Sequence, residues 1–160
     1  MPGWENFFMA QVGASASLAG LVFVGVSLNL TKIMSSGHLP NRAQEALLAL
    51  LLNLMLSSLF LVPGQTALSL GVEVLIAGLL AWLGVIVLHV DSFRRMDPAF
   101  RRRSTTAAVL GQVLSISVWV AGGVLLLRGP VGVYWLVPGL LLSYLIALAN
   151  AWVLTVEIHR

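Results

Sequence analysis

Four strongly polar side chains lie inside long apolar stretches of the chain: Asn53, Glu73, Gln112 and Asn150. Each is nine or ten residues from a turn or a basic residue. In a helix this spacing corresponds to a depth of about 15 Å, close to the middle of a lipid bilayer. Polar groups that face lipid are costly, so we expect the four to form one midplane layer that faces inward or faces water.

Glu73 has the most pronounced chemistry of the four, because a carboxylate in a low-dielectric site is either protonated or paired. One interpretation makes it a proton-linked or cation-binding site with the three amides around it. The other makes it a hydrogen-bonded strut between helices, a role that amide side chains such as Asn53 often have in membrane proteins. The residue types alone leave both interpretations open.

The composition requires a membrane setting for these residues. Hydrophobic residues make up 59% of the 160 positions and charged residues only 9%. A soluble globular domain has roughly a quarter charged residues. There is no cysteine, which excludes disulfides and thiolate metal sites.

Five stretches are long and apolar enough to cross a bilayer, which takes about twenty residues. They are residues 7–31, 43–62, 66–90, 104–127 and 131–157, and a basic loop covers residues 91–103. Turn-forming residues separate them, as in Pro63-Gly64-Gln65. We predict an all-α integral membrane protein, a five-helix bundle in one membrane domain that covers residues 1–160.

Basic residues predict the orientation of this bundle. Only Arg128 falls on one side of the five spans, and the other side carries Lys32, Arg42, Arg94, Arg95, Arg101, Arg102, Arg103 and Arg160. Basic loops stay in the cytoplasm, so we expect the N-terminus outside and the C-terminus inside. Trp4, Phe7, Phe8, Phe60, Tyr134 and Trp135 would then collect at the outer interface.

The arginines of the basic loop predict contact with lipid. Arg94, Arg95, Arg101, Arg102 and Arg103 lie beside two spans, where they would bind anionic headgroups on the cytoplasmic face. The same position in the topology explains their number without nucleic acid.

The first span has a different pattern. Small or hydroxylated side chains recur at steps of four and three along one face, at Gly13, Ser17, Gly20, Val24, Ser27 and Thr31. Gln11 and Asn29 lie near the two ends of the same span. Such a face either packs closely against another helix or lines a water-filled pore. We refer to these six positions as the small-residue stripe.

No catalytic pattern is present in the sequence. Nucleophile and base pairs, or metal ligands at helical spacing, do not occur, so we expect neither an enzyme nor a cofactor. His38, His89 and His159 all map near the cytoplasmic interface and form a minor candidate for a metal site. Interfacial histidines are more simply solvated, and a metal site needs three or four ligands with supporting partners.

Three segments resemble a known group of proteins. Residues 13–30, residues 38–47 and the Leu-Val-Pro-Gly-Gln turn at 61–65 resemble small uncharacterised bacterial membrane proteins, some of which are labelled modulator of FtsH protease. The resemblance covers roughly the first half of the chain. It implies a bacterial inner-membrane protein and leaves the activity open.

Two functions are compatible with these patterns. The first is a homo-oligomeric channel or ion-conducting pore, with the polar midplane layer around Glu73 and copies arranged around an axis. The alternative is a non-catalytic regulatory or structural subunit, which docks onto a larger membrane protein complex such as a membrane protease. Five spans do not divide into two equal halves, which disfavours an ordinary secondary transporter.

Overall fold

The computed structural model describes residues 3–35, 39–95 and 116–158, and every regular element within these ranges is helical. In chain order the elements are α1 (Glu5–Leu28), α2 (Leu30–Ser35), α3 (Leu39–Leu61), α4 (Ala67–Arg95), α5 (residues 116–128), a 3-10 turn (Gly129–Gly132) and α6 (Val133–Ile158). The prediction of an all-helical chain is confirmed over this part of the sequence.

Four helical stretches are long and apolar enough to cross a membrane: Glu5–Leu28, Leu39–Leu61, Ala67–Leu88 and Ile116–Trp152. The chain is therefore suited to a membrane. The fourth stretch has 37 residues and contains the 3-10 turn, so it is two helices rather than one span. The described part of α5 rises about 20 Å.

The turn between α5 and α6 folds the chain back on itself. Gly129 has a φ of 72°, a left-handed conformation that glycine adopts without strain. Gly132 lies against the backbone of Leu125 and Ala121, and the Ser117 hydroxyl donates to the Trp135 carbonyl. Residues close to the turn contact each other, as Gly132 and Leu125 do, and residues farther before it pair with residues farther after it, as Ser117 and Trp135 do. This is the pattern of an antiparallel helical hairpin.

Helices α3, α4, α5 and α6 enclose an apolar core, and α1 packs on the outside of α3 and α6. Each helix of the four contributes fully buried side chains to this core, including Leu56, Val74, Leu125 and Leu136. On the α4–α5 contact, Gly71 and Gly78 face Leu126 and Val118 at close range. Small residues of this kind let two helices approach closely in a membrane protein.

Aromatic side chains gather at one end of the bundle. Phe8 stacks on Phe60 at a centroid distance of 4.4 Å, which shows that α1 and α3 are antiparallel. Trp4 meets Tyr134 edge-on at 5.0 Å, which shows that α1 and α6 are parallel. We call this end, with Phe7 included, the aromatic end. Its position at a membrane interface stays a prediction.

Several helix boundaries differ from the prediction. Helix α1 ends at Leu28 rather than at residue 31, because the Asn29 side chain donates to the Gly25 carbonyl and its own N–H bonds Val26. Helix α4 continues to Arg95, so the first five residues of the predicted loop at 91–103 are helical. Of the predicted fourth span, residues 104–115 lie outside the described residues.

Thr66 caps the start of α4. The Thr66 Oγ1 accepts from the Ser69 N–H at 3.2 Å, and the Ser69 Oγ accepts from the Thr66 N–H at 3.1 Å. This reciprocal pair satisfies donors that the first helical turn leaves free. Helix α3 begins at Leu39, four residues before the predicted start of the second span at residue 43.

The hairpin between α5 and α6 generates the first prediction. A Cβ at Gly132 would lie 2.5 Å from the Leu125 nitrogen and 2.8 Å from the Ala121 oxygen. We expect Gly132→Ala to lower the free energy of unfolding by about 1–3 kcal/mol, because backbone atoms would have to move apart. Thermal unfolding in detergent measures the loss.

Gly123 provides the matched control on the same hairpin, since a Cβ there would meet nothing within 4 Å. Gly123→Ala should leave stability unchanged or raise it slightly. Equal losses for the two variants would contradict the hairpin packing described above.

Candidate functional site

Six polar side chains are buried among those that the structure describes, and all belong to α1, α3 or α6. They are Gln11, Ser15, Asn53, Ser57, Ser143 and Asn150. Polar groups in a membrane helix are costly against lipid and therefore turn inward. The contact of α1 with α3 and α6 is thus the polar region of an otherwise apolar bundle.

Tyr144 is the centre of the hydrogen bonds between α1 and α6. Its hydroxyl donates to the backbone carbonyl oxygen of Gln11 at 3.0 Å and lies 2.8 Å from the Ser15 Oγ. A phenol has one hydrogen, so Ser15 donates to Tyr144 while Tyr144 donates to Gln11. The sequence analysis missed Tyr144, because only the parallel contact of α1 and α6 brings it to Ser15.

Asn53 acts as a strut between α3 and α6. Its Nδ2 donates to the Leu140 carbonyl at 3.2 Å, and the Ser143 Oγ donates to the same oxygen at 2.7 Å. Asn53 is buried and points into the bundle. Its partner, however, is a backbone carbonyl rather than another member of the proposed midplane layer.

Glu73 has a partner that the sequence analysis did not assign. The Gln65 Nε2 donates to the Glu73 Oε2 at 2.9 Å. Gln65 follows Gly64, whose φ of 76° turns the chain from α3 into α4. Gln65 is the last residue of the Leu-Val-Pro-Gly-Gln turn. Its side chain runs along the first turns of α4 to the Glu73 carboxylate.

Glu73 faces the α3 side of α4. It is two residues from Gly71, which contacts α5, and two residues correspond to about 200° around a helix. The contact of Gly84 with Leu48 sets the antiparallel register of α3 and α4. The bond to Gln65 keeps the Glu73 carboxylate within reach of the α3–α4 turn, which lies at the aromatic end of the bundle.

Asn53 and Asn150 do not share one depth, in contrast to the predicted midplane layer. Asn53 is level with Leu140, whereas the Asn150 Oδ1 accepts from the Arg42 Nη1 at 3.5 Å. Leu140 and Asn150 are separated by about 15 Å along α6. The C-terminal end of α6 extends past the start of α3. A depth counted from the end of α6 therefore places Asn150 too close to the level of Asn53.

Gln112, the fourth member of the predicted layer, lies outside the described residues. An ion-binding role for this set stays a prediction.

The small-residue stripe lies entirely on the exposed side of α1 and α2. Gly13, Ser17, Gly20, Val24, Ser27 and Thr31 are all exposed. A Cβ added at Gly13 or Gly20 would meet nothing within 4 Å. Gln11 points to the opposite side, into the bundle, and Asn29 is bound to its own helix. The stripe and the polar interior therefore lie on opposite faces of α1.

The roles of the remaining candidate residues stay predictions. Arg94 and Arg95 form the end of α4, while Arg101, Arg102, Arg103, His38 and His159 lie outside the described residues, and His89 belongs to α4. Within the described part of the chain, no three His, Cys, Asp or Glu residues come together in a way that could hold a metal. The absence of catalysis stays a prediction.

Comparison with known proteins found no matching family model, no matching curated protein and no matching solved structure. The resemblance to bacterial membrane proteins labelled modulator of FtsH protease therefore stays a prediction.

The Tyr144 hydrogen bonds generate the second prediction. Tyr144→Phe removes both bonds between α1 and α6 and leaves the buried Ser15 hydroxyl without its acceptor. We expect a loss of about 1 kcal/mol in the free energy of unfolding. Faster hydrogen exchange in α1 should accompany it, because α1 has few other contacts with α6.

Tyr134 is the only other tyrosine of the chain, and its side chain is exposed. Tyr134→Phe is therefore the control and should keep the parent stability and exchange rates. A Tyr144→Phe variant that behaves in the same way would show that the phenol hydroxyl does not hold α1 in place.

Proposed function

We propose that this chain is the subunit of a homo-oligomeric channel in a membrane and that copies assemble around an axis lined by α1. The observation that carries the proposal is the exposure of the complete small-residue stripe, with open space at Gly13 and Gly20. Lipid gains nothing from small side chains, whereas a second helix can approach closely over them.

The spacing of the stripe supports a contact between identical helices. Alternating steps of four and three give an average period of 3.5 residues, which is the repeat of a left-handed coiled coil. The stripe carries no charge, so identical copies meet without repulsion. Ser17 and Ser27 would supply hydroxyl groups along the axis of such an assembly.

The interior of one subunit supports the same conclusion by elimination. The space between α3, α4, α5 and α6 is filled by apolar side chains from all four helices. The buried polar residues on α1, α3 and α6 are interrupted by Ala46, Leu50 and Ala147, which separate Asn53 from Arg42. A conduction path between copies fits this packing better than one through a single subunit.

We further propose a bacterial inner membrane with five spans, the N-terminus outside and the C-terminus in the cytoplasm. The antiparallel contacts of neighbouring helices put Arg128 at the aromatic end and Lys32 and Arg42 at the other end. Basic residues favour the cytoplasmic side, and aromatic residues favour an interface. Anionic headgroups at the cytoplasmic end would bind the arginines there.

A second candidate function is a non-catalytic subunit that docks its α1 onto a larger membrane protein complex such as a membrane protease. The bonds of Asn53 and Tyr144 favour it, since these polar groups serve as struts between helices. The two candidates differ in the partner of the stripe, which is a second copy in one case and a different protein in the other.

Assembly through α1 generates the third prediction. Gly20→Leu places a bulky side chain in the stripe, where two α1 helices would have to approach. We expect it to shift the purified protein from oligomer to monomer and to abolish ion flux in liposomes, because each close helix contact is lost. Crosslinking and native mass spectrometry report the assembly.

Ala14→Leu is the control, because Ala14 is also exposed but lies about 100° around α1 from Gly13. It should leave assembly and flux intact. A parent protein that is strictly monomeric would rule out the channel and favour the second candidate.

Glu73 distinguishes two positions of the axis. Helices α1 and α4 make no direct contact among the described elements. If the symmetry axis of the oligomer is lined by α1, Glu73 on α4 therefore does not line the pore. Glu73→Gln keeps an acceptor for Gln65, and we expect it to fold and conduct as the parent does. Loss of ion flux in this variant would indicate that α3 and α4 line the pore instead, with Glu73 as the predicted ion site.

The orientation generates the fourth prediction. A cysteine introduced at Gly3 or at Arg128 should react with a membrane-impermeant reagent added to intact cells, because both positions belong to the aromatic end. A cysteine at Lys32 should react only after the membrane is permeabilised. Labelling of the cysteine at position 32 in intact cells would show that the orientation is the reverse of the proposed one.

A further inference from the structure

Two buried polar atoms at the α1–α3 contact have no hydrogen-bond partner among the residues that the structure describes. They are the Oε1 of Gln11 and the Oγ of Ser57. Gln11 is 8% exposed and Ser57 is fully buried. A buried polar atom without a partner costs free energy, and in native proteins an ordered water commonly supplies the missing bond.

The register of the two helices brings these residues to the same level. Phe8 stacks on Phe60, and α1 and α3 are antiparallel. Gln11 is three residues beyond Phe8, and Ser57 is three residues before Phe60, so each stays on the face of its helix that carries the stack. Gln11 and Ser57 therefore face each other across the contact.

Apolar groups close this polar level on both sides. The stacked rings of Phe8 and Phe60 lie toward the aromatic end. Toward the other end, Leu50 and Ala46 pack with Ala147 and with Leu18 and neighbouring residues of α1. Between these two layers, Ser15, Asn53 and Tyr144 already have partners.

We propose that Gln11 and Ser57 bind one water molecule that bridges α1 to α3. The water donates to the Gln11 Oε1, and the Ser57 hydroxyl donates to it or accepts from it. The side chains at this level are uncharged, so an ion would lack a counter-charge. A water needs two to four polar partners, which this level provides. The site is independent of any assembly of the chain.

The experiment is a double-mutant cycle on the full-length protein in mixed micelles. Ser57→Ala and Gln11→Leu each leave the water with one protein partner fewer. Each should raise the unfolding equilibrium constant about fivefold to tenfold. The double variant replaces both polar groups by apolar ones, and its constant should stay within about threefold of the parent value.

Ser143→Ala is the matched control, because the buried Ser143 hydroxyl is already bonded to the Leu140 carbonyl of its own helix. Its effect should add to that of Ser57→Ala. Additive effects of Gln11→Leu and Ser57→Ala would overturn the proposal.

A crystal structure that shows ordered waters gives a direct readout that does not depend on how the variants fold. We expect a water within hydrogen-bond distance of both atoms. A direct bond between Gln11 and Ser57, or no water at this position, would also overturn the proposal.

Discussion

A lipid environment offers hydrogen-bond partners to neither backbone nor side chain, so the polar groups of a membrane bundle need partners in the protein or in buried water. The contact of α1 with α3 and α6 follows from this constraint. Tyr144 donates to a carbonyl of α1, and Asn53 donates to a carbonyl of α6. Between the four helices α3 to α6, apolar side chains such as Leu56, Val74, Leu125 and Leu136 form a hydrophobic core.

Glycine has two different roles in the bundle, and the contrast identifies the face of α1 that lacks a partner. On the α4–α5 contact, a Cβ at Gly71 or Gly122 would come within 3 Å of a leucine side chain of the facing helix. On α1, a Cβ at Gly13 or Gly20 would meet nothing. The first pair lets two helices of one subunit approach. Gly13 and Gly20 are equally small but lie on the outer surface, where a helix of another subunit or protein can approach closely.

The turn between α3 and α4 links local chemistry to a longer-range contact. Gly64 supplies the left-handed conformation, and Thr66 caps α4 through Ser69. Both features are local and could be predicted from the sequence. The bond from Gln65 to Glu73 depends in addition on how the Gln65 side chain runs along α4, and it gives the Glu73 carboxylate a hydrogen-bond partner.

Among the described residues, the sequence by itself determined the apolar helices, the turns at 63–65 and 128–130 and the grouping of aromatic residues at one end. Apolar length and turn-forming residues act locally, so composition and spacing are sufficient for these features. Depth along single helices was predictable only approximately, because it was counted from helix ends. Asn150 shows the limit, since α6 runs past α3 and pairs Asn150 with Arg42 instead of bringing it level with Asn53.

Only the tertiary structure decided which face of each helix meets a neighbour. It turned Gln11 inward and the small-residue stripe outward, although both belong to α1 and the stripe was recognised in the sequence. It also brought Tyr144 to Ser15, two residues far apart in the chain. The rotation and the relative height of packed helices are set by the side chains of all neighbours together, and no local pattern in one helix contains that information.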